Sequence, residues 1–142
     1  MIIIAPYAKQ LKNGKRNPKD YPWWPELIEL IEEPIVQVGI STETKLVEDF
    51  RPDLTIQQLR ELIAQCRTWI GVDSFFQHLA WDCGKSGVVL WSVSDPLIFG
   101  HPENINLLKD RANLAANQFL WWDFVEHDEN KFILPKDVIK YV

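Results

Sequence analysis

Cysteine is scarce in this chain, basic residues are outnumbered, and no apolar run is long. The two cysteines, Cys66 and Cys83, have neither CxxC nor metal-ligand spacing, which argues against a disulfide framework and for buried reduced thiols. A net charge of −5 excludes a general nucleic-acid binder, because phosphate-backbone affinity needs a net basic surface. No stretch approaches the roughly 20 apolar residues of a membrane span. The opening Met1-Ile2-Ile3-Ile4-Ala5-Pro6 has no basic n-region, and its apolar run is too short for a signal peptide. Walker A, G-x-G-x-x-G, G-x-S-x-G and H-E-x-x-H sequences are all missing. These absences predict a soluble, cytoplasmic protein with no membrane span and no metal motif.

Aromatic residues are abundant, with seven Trp and seven Phe in 142 residues. Trp23-Trp24, Phe75-Phe76 and Trp121-Trp122 are adjacent pairs, and neighbouring bulky rings cannot all enter one small core. Some are expected to cover a groove or a partner surface. The length suits a single domain over residues 1–142.

Short apolar runs at Ile2–Ala5, Ile35–Ile40, Trp69–Val72 and Gly87–Val93 read as strands buried on both faces. Between them lie helix signals. Trp24-Pro25-Glu26 starts a helix that Pro34 stops. Thr55-Ile56-Gln57-Gln58 is a capping box opening a helix through Cys66, and Asp73-Ser74 is a cap pair for a helix closed by Gly84. A short helix is predicted at Lys45–Glu48, a strand at Ile105–Leu108, a helix at Asn113–Phe124 and a terminal helix from Pro135. Alternating strands and helices with short connections predict an α/β, Rossmann-like parallel sheet with helices on both faces.

In such a sheet ligands bind beyond the carboxyl ends of the strands. The first of those loops carries Lys9, Lys12, Lys15, Arg16 and Lys19 within eleven residues of an otherwise acidic chain, a field that favours an anion. The same residues also suit a solvated lysine loop. Asp73-Ser74 opens a helix whose first amides suit a phosphate, with His78 one turn beyond Ser74. Read without a ligand, Asp73 and Ser74 simply cap the helix, and His78 is a half-buried histidine bonded to a carbonyl. His101 and His127 have no partner at ligand spacing.

Taken in order, these signals resemble glycosyltransferase family 9, the heptosyltransferase-like enzymes of the GT-B fold, in their C-terminal half. The resemblance rests on Lys19-Asp20-Tyr21-Pro22, on Glu43 after the second strand, and on Ile70-Gly71-Val72-Asp73-Ser74-Phe75-Phe76-Gln77-His78-Leu79-Ala80. Val88-Val89-Leu90-Trp91-Ser92-Val93-Ser94-Asp95-Pro96 and Ile133-Leu134-Pro135-Lys136-Asp137-Val138 continue it. It implies a site for a nucleotide-diphosphate sugar and no metal cofactor. Asp73, Ser74 and His78 would line the donor site, Lys19 would neutralise phosphate, and Glu43 would bind ribose hydroxyls. Lys15 or Arg16 serves equally as the cation, and Ser92 and Ser94 of the fourth loop join the candidates.

Phe75 stands where the family has a glycine after Asp-Ser, and Ser92 replaces the glycine of its Leu-Phe-Gly turn. A phenylalanine there either blocks the close approach of backbone to ligand or offers a ring for stacking. The family's acceptor site and catalytic base lie on an N-terminal half with no counterpart in this sequence. Transfer therefore calls for a partner chain or a homodimer. The alternatives are a non-catalytic protein that sequesters or senses a nucleotide sugar, and an assembly module built on the same fold, in which Trp121 and Trp122 carry the function.

Overall fold

A computed structural model describes all 142 residues. Six strands form one sheet: β1 (Ile2–Ala5), β2 (Ile35–Gly39), β3 (Phe50–Pro52), β4 (Thr68–Val72), β5 (Val88–Trp91) and β6 (Ile105–Leu108). Their spatial order is β3-β2-β1-β4-β5-β6, and every pairing is parallel. The most apolar run in the sequence, Ile2–Ala5, is thus a central strand, buried along its length between β2 and β4. Parallel strands covered on both faces favour near-continuous apolar runs of this kind.

Successive residues of β1 point to opposite faces, and each face has its own core. Ile2 and Ile4 pack with Tyr21, Trp24, Leu27, Phe132 and Val138, which come from α1 (Trp24–Glu29), α5 (Pro135–Val138) and the segments leading to them. Ile3 and Ala5 pack with Leu62 and Ile63 of α2 (Ile56–Gln65) and with Phe76, Leu79 and Ala80 of α3 (Phe75–Asp82). Helices therefore cover both faces, as the alternating signals predict. The Thr55 capping box is formed, with the Thr55 hydroxyl accepting from the Gln58 amide at 3.1 Å and the Gln58 side chain accepting from the Thr55 amide at 2.9 Å. Gly84, at φ +72°, turns the chain out of α3, a left-handed conformation that favours glycine.

Two predicted helices do not form. Residues 45–48 are irregular because buried Gln37 of β2 holds that segment in a loop: its Nε2 donates to the Thr44 carbonyl at 2.8 Å, and its Oε1 accepts from the Leu46 amide at 2.7 Å. The chain then enters β3, an edge strand too short for a periodic signal and closed by a proline. Residues 113–124 likewise lack an α-helix, having only 3₁₀ turns at Arg111–Asn113 and Trp122–Phe124. Gln118 pins this segment to the β5 loop, donating to the carbonyls of Val93 and Ala115 and accepting from the Asp95 amide. One short helix was not anticipated: α4 (Pro96–Phe99), which Asp95 caps by accepting from the Leu97 amide at 2.9 Å.

Candidate functional site

Strand order reverses direction between β1 and β4, and the loops leaving those two strands diverge to open a crevice. A groove of about 1200 Å³ lies there, lined by the loops after β1, β2, β3 and β4 and closed along one side by residues 119–123.

The loop after β1 is structured by its own polar residues. Asp20 Oδ1 accepts from the Ala8 amide at 2.8 Å, Asn17 donates to the Lys9 carbonyl, and the Lys19 amide donates to Asn17 Oδ1. Ser92 and His127 tie the same loop from outside, donating to the carbonyls of Pro18 and Asp20. Burial pushes the Asp20 carboxyl up to about 6, against the lowering effect of the Ala8 amide and the Arg16 charge.

This fixed loop delivers Lys19 to the groove. Its ammonium lies 2.9 Å from Asp73 Oδ2, with side-chain exposures of only 16% and 7%. Asp73 Oδ1 accepts from Gln77 Nε2 at 2.8 Å, one turn along α3. The Trp122 ring centroid lies 4.6 Å from the Lys19 ammonium and that of Phe99 lies at 6.0 Å. Lys19 is thus held by a carboxylate and an indole. Ser74 occupies the N-cap position of α3, yet its hydroxyl makes no capping bond, so no side chain caps the first-turn amides.

Glu43 closes the β2 side. Its Oε1 accepts from the Ile40 amide at 3.0 Å, and the carboxylate lies directly over Gly39, where a Cβ would come within 2.3 Å of it. Glycine here makes room for the acid. Burial, with Asp53 nearby, raises the Glu43 carboxyl above the usual range despite the Ile40 amide.

The aromatic pair Phe75-Phe76 splits as its adjacency predicts. Phe76 is buried edge-on against Trp69, while Phe75 is 59% exposed at the groove wall. His78 also lines the groove, and its Nδ1 lies 2.7 Å from His101 Nε2, a hydrogen bond that requires one ring to donate and the other to accept. Trp81 stacks on His101 at 4.7 Å. Burial and the neighbouring His101 lower the His78 pKa, although Asp73 pulls the other way.

The groove therefore brings together Lys19, Glu43, Asp73, Ser74, Phe75 and His78. Lys15, Arg16, Ser92 and Ser94 lie outside its lining. Lys15 pairs with Glu126, and the two serines are buried within the loop after β5. Sequence reasoning gave no role to Gln77 or His101, and it expected clustered aromatics such as Trp121-Trp122 to cover a groove or partner surface without placing residues 119–123 on this one. The Asp73–Gln77 spacing of one turn was a usable signal, as was the Trp121-Trp122 pair. No three His, Cys, Asp or Glu side chains converge at metal-binding distance.

This geometry defines a class: an open, doubly wound, Rossmann-like parallel sheet, consistent with one half of a GT-B fold, with its groove at the carboxyl ends of the strands. A family model for glycosyltransferase family 9 (heptosyltransferase) matches residues 1–121, and the chain belongs to that family. Its function is accordingly glycosyltransferase-like. No curated protein and no solved structure matches the chain. No helix is long and apolar enough to cross a membrane.

Proposed function

We propose that the groove binds the nucleoside-diphosphate sugar donor of a glycosyl transfer, with this chain acting as a cytoplasmic donor-binding domain. The observation that carries this reading is the meeting of Lys19, Asp73 and the uncapped first turn of α3 at the β1–β4 divide. A diphosphate needs a cation and converging amides, and both are supplied there by groups that the fold already holds in place. Lys19 meets the phosphates and the α3 amides take their oxygens. Glu43 accepts from ribose hydroxyls, and the exposed Phe75 ring stacks on the base or sugar. Charge on the departing diphosphate is met by these groups, so the proposed transfer requires no metal. The acceptor and the catalytic base come from a partner domain or chain, or from a second copy of this one.

Calorimetric titration with ADP-, UDP-, GDP- and CMP-sugars tests the reading. Binding of one of them, lost in Glu43→Ala, is the expected result, and no binding to any of the four overturns it. A second reading, in which the chain sequesters the nucleotide sugar without transferring it, is favoured by Phe75 standing at the start of α3. It predicts binding with no transfer or hydrolysis when candidate acceptor domains are added.

A further inference from the structure

The wall at residues 119–126 is fixed at its two ends and loosely held between them. Gln118 anchors one end through three hydrogen bonds to Val93, Ala115 and Asp95. At the other end His127 donates to the Asp20 carbonyl and stacks on Phe132. Between these anchors, Phe119, Trp121 and Phe124 are 80%, 67% and 81% exposed, so apart from the edge contact of Phe119 with Phe99 little apolar burial holds the segment down.

Four contacts to the basic loop after β1 supply most of the restraint. Trp121 lies 5.9 Å from the Lys12 ammonium, and Trp122 lies 4.6 Å from that of Lys19. Asn13 donates to the Asp123 carbonyl at 3.1 Å, and Lys15 pairs with Glu126 at 3.0 Å. Cation–π contacts and surface ion pairs are individually weak, and a segment held by them opens at little cost. Both tryptophans therefore sit on lysines that line the groove.

We propose that residues 119–126 are a strap whose twin tryptophans cap Lys12 and Lys19, and that an anionic ligand must displace Trp122 from Lys19 to enter. The inference rests on the donor-binding reading, and it makes Trp122 a determinant of affinity. Ring and phosphate compete for the same ammonium, which Asp73 already pairs. A phosphate carries full charge and wins that competition, but the contact it displaces lowers its net affinity.

The test is calorimetric titration of the full chain with inorganic pyrophosphate and with ADP, comparing the wild type with Trp122→Ala and Trp122→Phe. Circular dichroism verifies folding of each variant. Removing the indole is expected to tighten both ligands by about 2- to 30-fold, the range set by a cation–π contact between exposed and desolvated limits. Trp122→Phe should fall between wild type and Trp122→Ala, and it alone decides the matter should Trp122→Ala fail to fold. Unchanged or weakened binding in the folded variants overturns the strap and leaves the donor-binding reading intact. Absence of binding to the wild type and to the uncapped variants alike overturns both.

Discussion

Lys19 and Asp73, which lie 54 positions apart in the sequence, form the one ion pair of the groove, at 2.9 Å and largely out of water. The pair joins the loop after β1 to the start of α3 across the site. It also changes the electrostatics inferred from composition, because the best-placed lysine of the basic loop is already paired with a carboxylate.

Removing one partner of such a pair leaves the other charged and poorly solvated. Asp73→Ala strands the Lys19 ammonium and also orphans the Gln77 amide, which donates to Asp73 Oδ1. The expected loss is about 2–4 kcal/mol of unfolding free energy, measured by urea titration at neutral pH. Lys19→Met together with Asp73→Asn should recover part of it, since neither charge then remains. If the double variant is as unstable as Asp73→Ala, the pair is not the source of the loss.

Asp20 gives a pH dependence with a defined sign. Its carboxyl has a pKa of about 6 in the folded chain, raised from 3.8 chiefly by burial. The folded state therefore holds the proton more tightly than the unfolded chain. Ionised Asp20 costs stability above about pH 6, and that cost fades as the pH falls through 6 towards 3.8. Asp20→Asn keeps an oxygen for the Ala8 amide and removes the charge. It should stabilise the protein by about 2–3 kcal/mol at pH 8 and by close to nothing at pH 4. The variant-minus-wild-type difference isolates Asp20 from His78 and His127, whose lowered pKa values act in the opposite direction.

The parallel sheet was legible because β1 and β5 are short apolar runs bounded by turn signals and alternating with capped helix signals. Asp73 and Ser74 were legible because they directly follow β4, whereas Glu43, four positions beyond β2, entered only through the family resemblance. β3 was not, since Phe50-Arg51-Pro52 is short, half exposed and contains a proline. The expected helix over 113–124 lost to a tertiary effect, the three hydrogen bonds of Gln118, which no local propensity records. Contacts of Asn13 and Lys15 with Asp123 and Glu126 span 110 and 111 positions, so the wall they build left only the doubled tryptophan as a trace.

Gly39 and Glu43 form a second testable pair. A Cβ on residue 39 would lie 2.3 Å from Glu43 Oε1 and would push the carboxylate off the Ile40 amide. Gly39→Ala should cost about 1–3 kcal/mol, from the displaced carboxylate and from a backbone region that side chains rarely adopt. Adding Glu43→Ala removes the collision but not the backbone cost. The double variant should therefore be more stable than the sum of the single changes predicts. Strict additivity in chemical denaturation would show that the two residues do not meet.

His78 and His101 supply the last prediction. Their 2.7 Å contact fixes one ring as donor and the other as acceptor, so adding a second proton to the pair breaks the bond. His78 titrates below the ordinary histidine range because it is partly buried, and next because His101 stands beside it. His101→Ala removes the neighbour and opens the ring to water, and both changes favour the imidazolium. The His78 pKa should rise, as followed by NMR of the imidazole between pH 5 and 8. Trp81→Ala provides the discriminating control, since it removes the ring stacked on His101 while leaving both histidines in place. It should move His78 less, and in the same direction, through looser seating of His101. A His78 resonance that titrates identically in wild type and His101→Ala would mean that the two rings do not touch in solution.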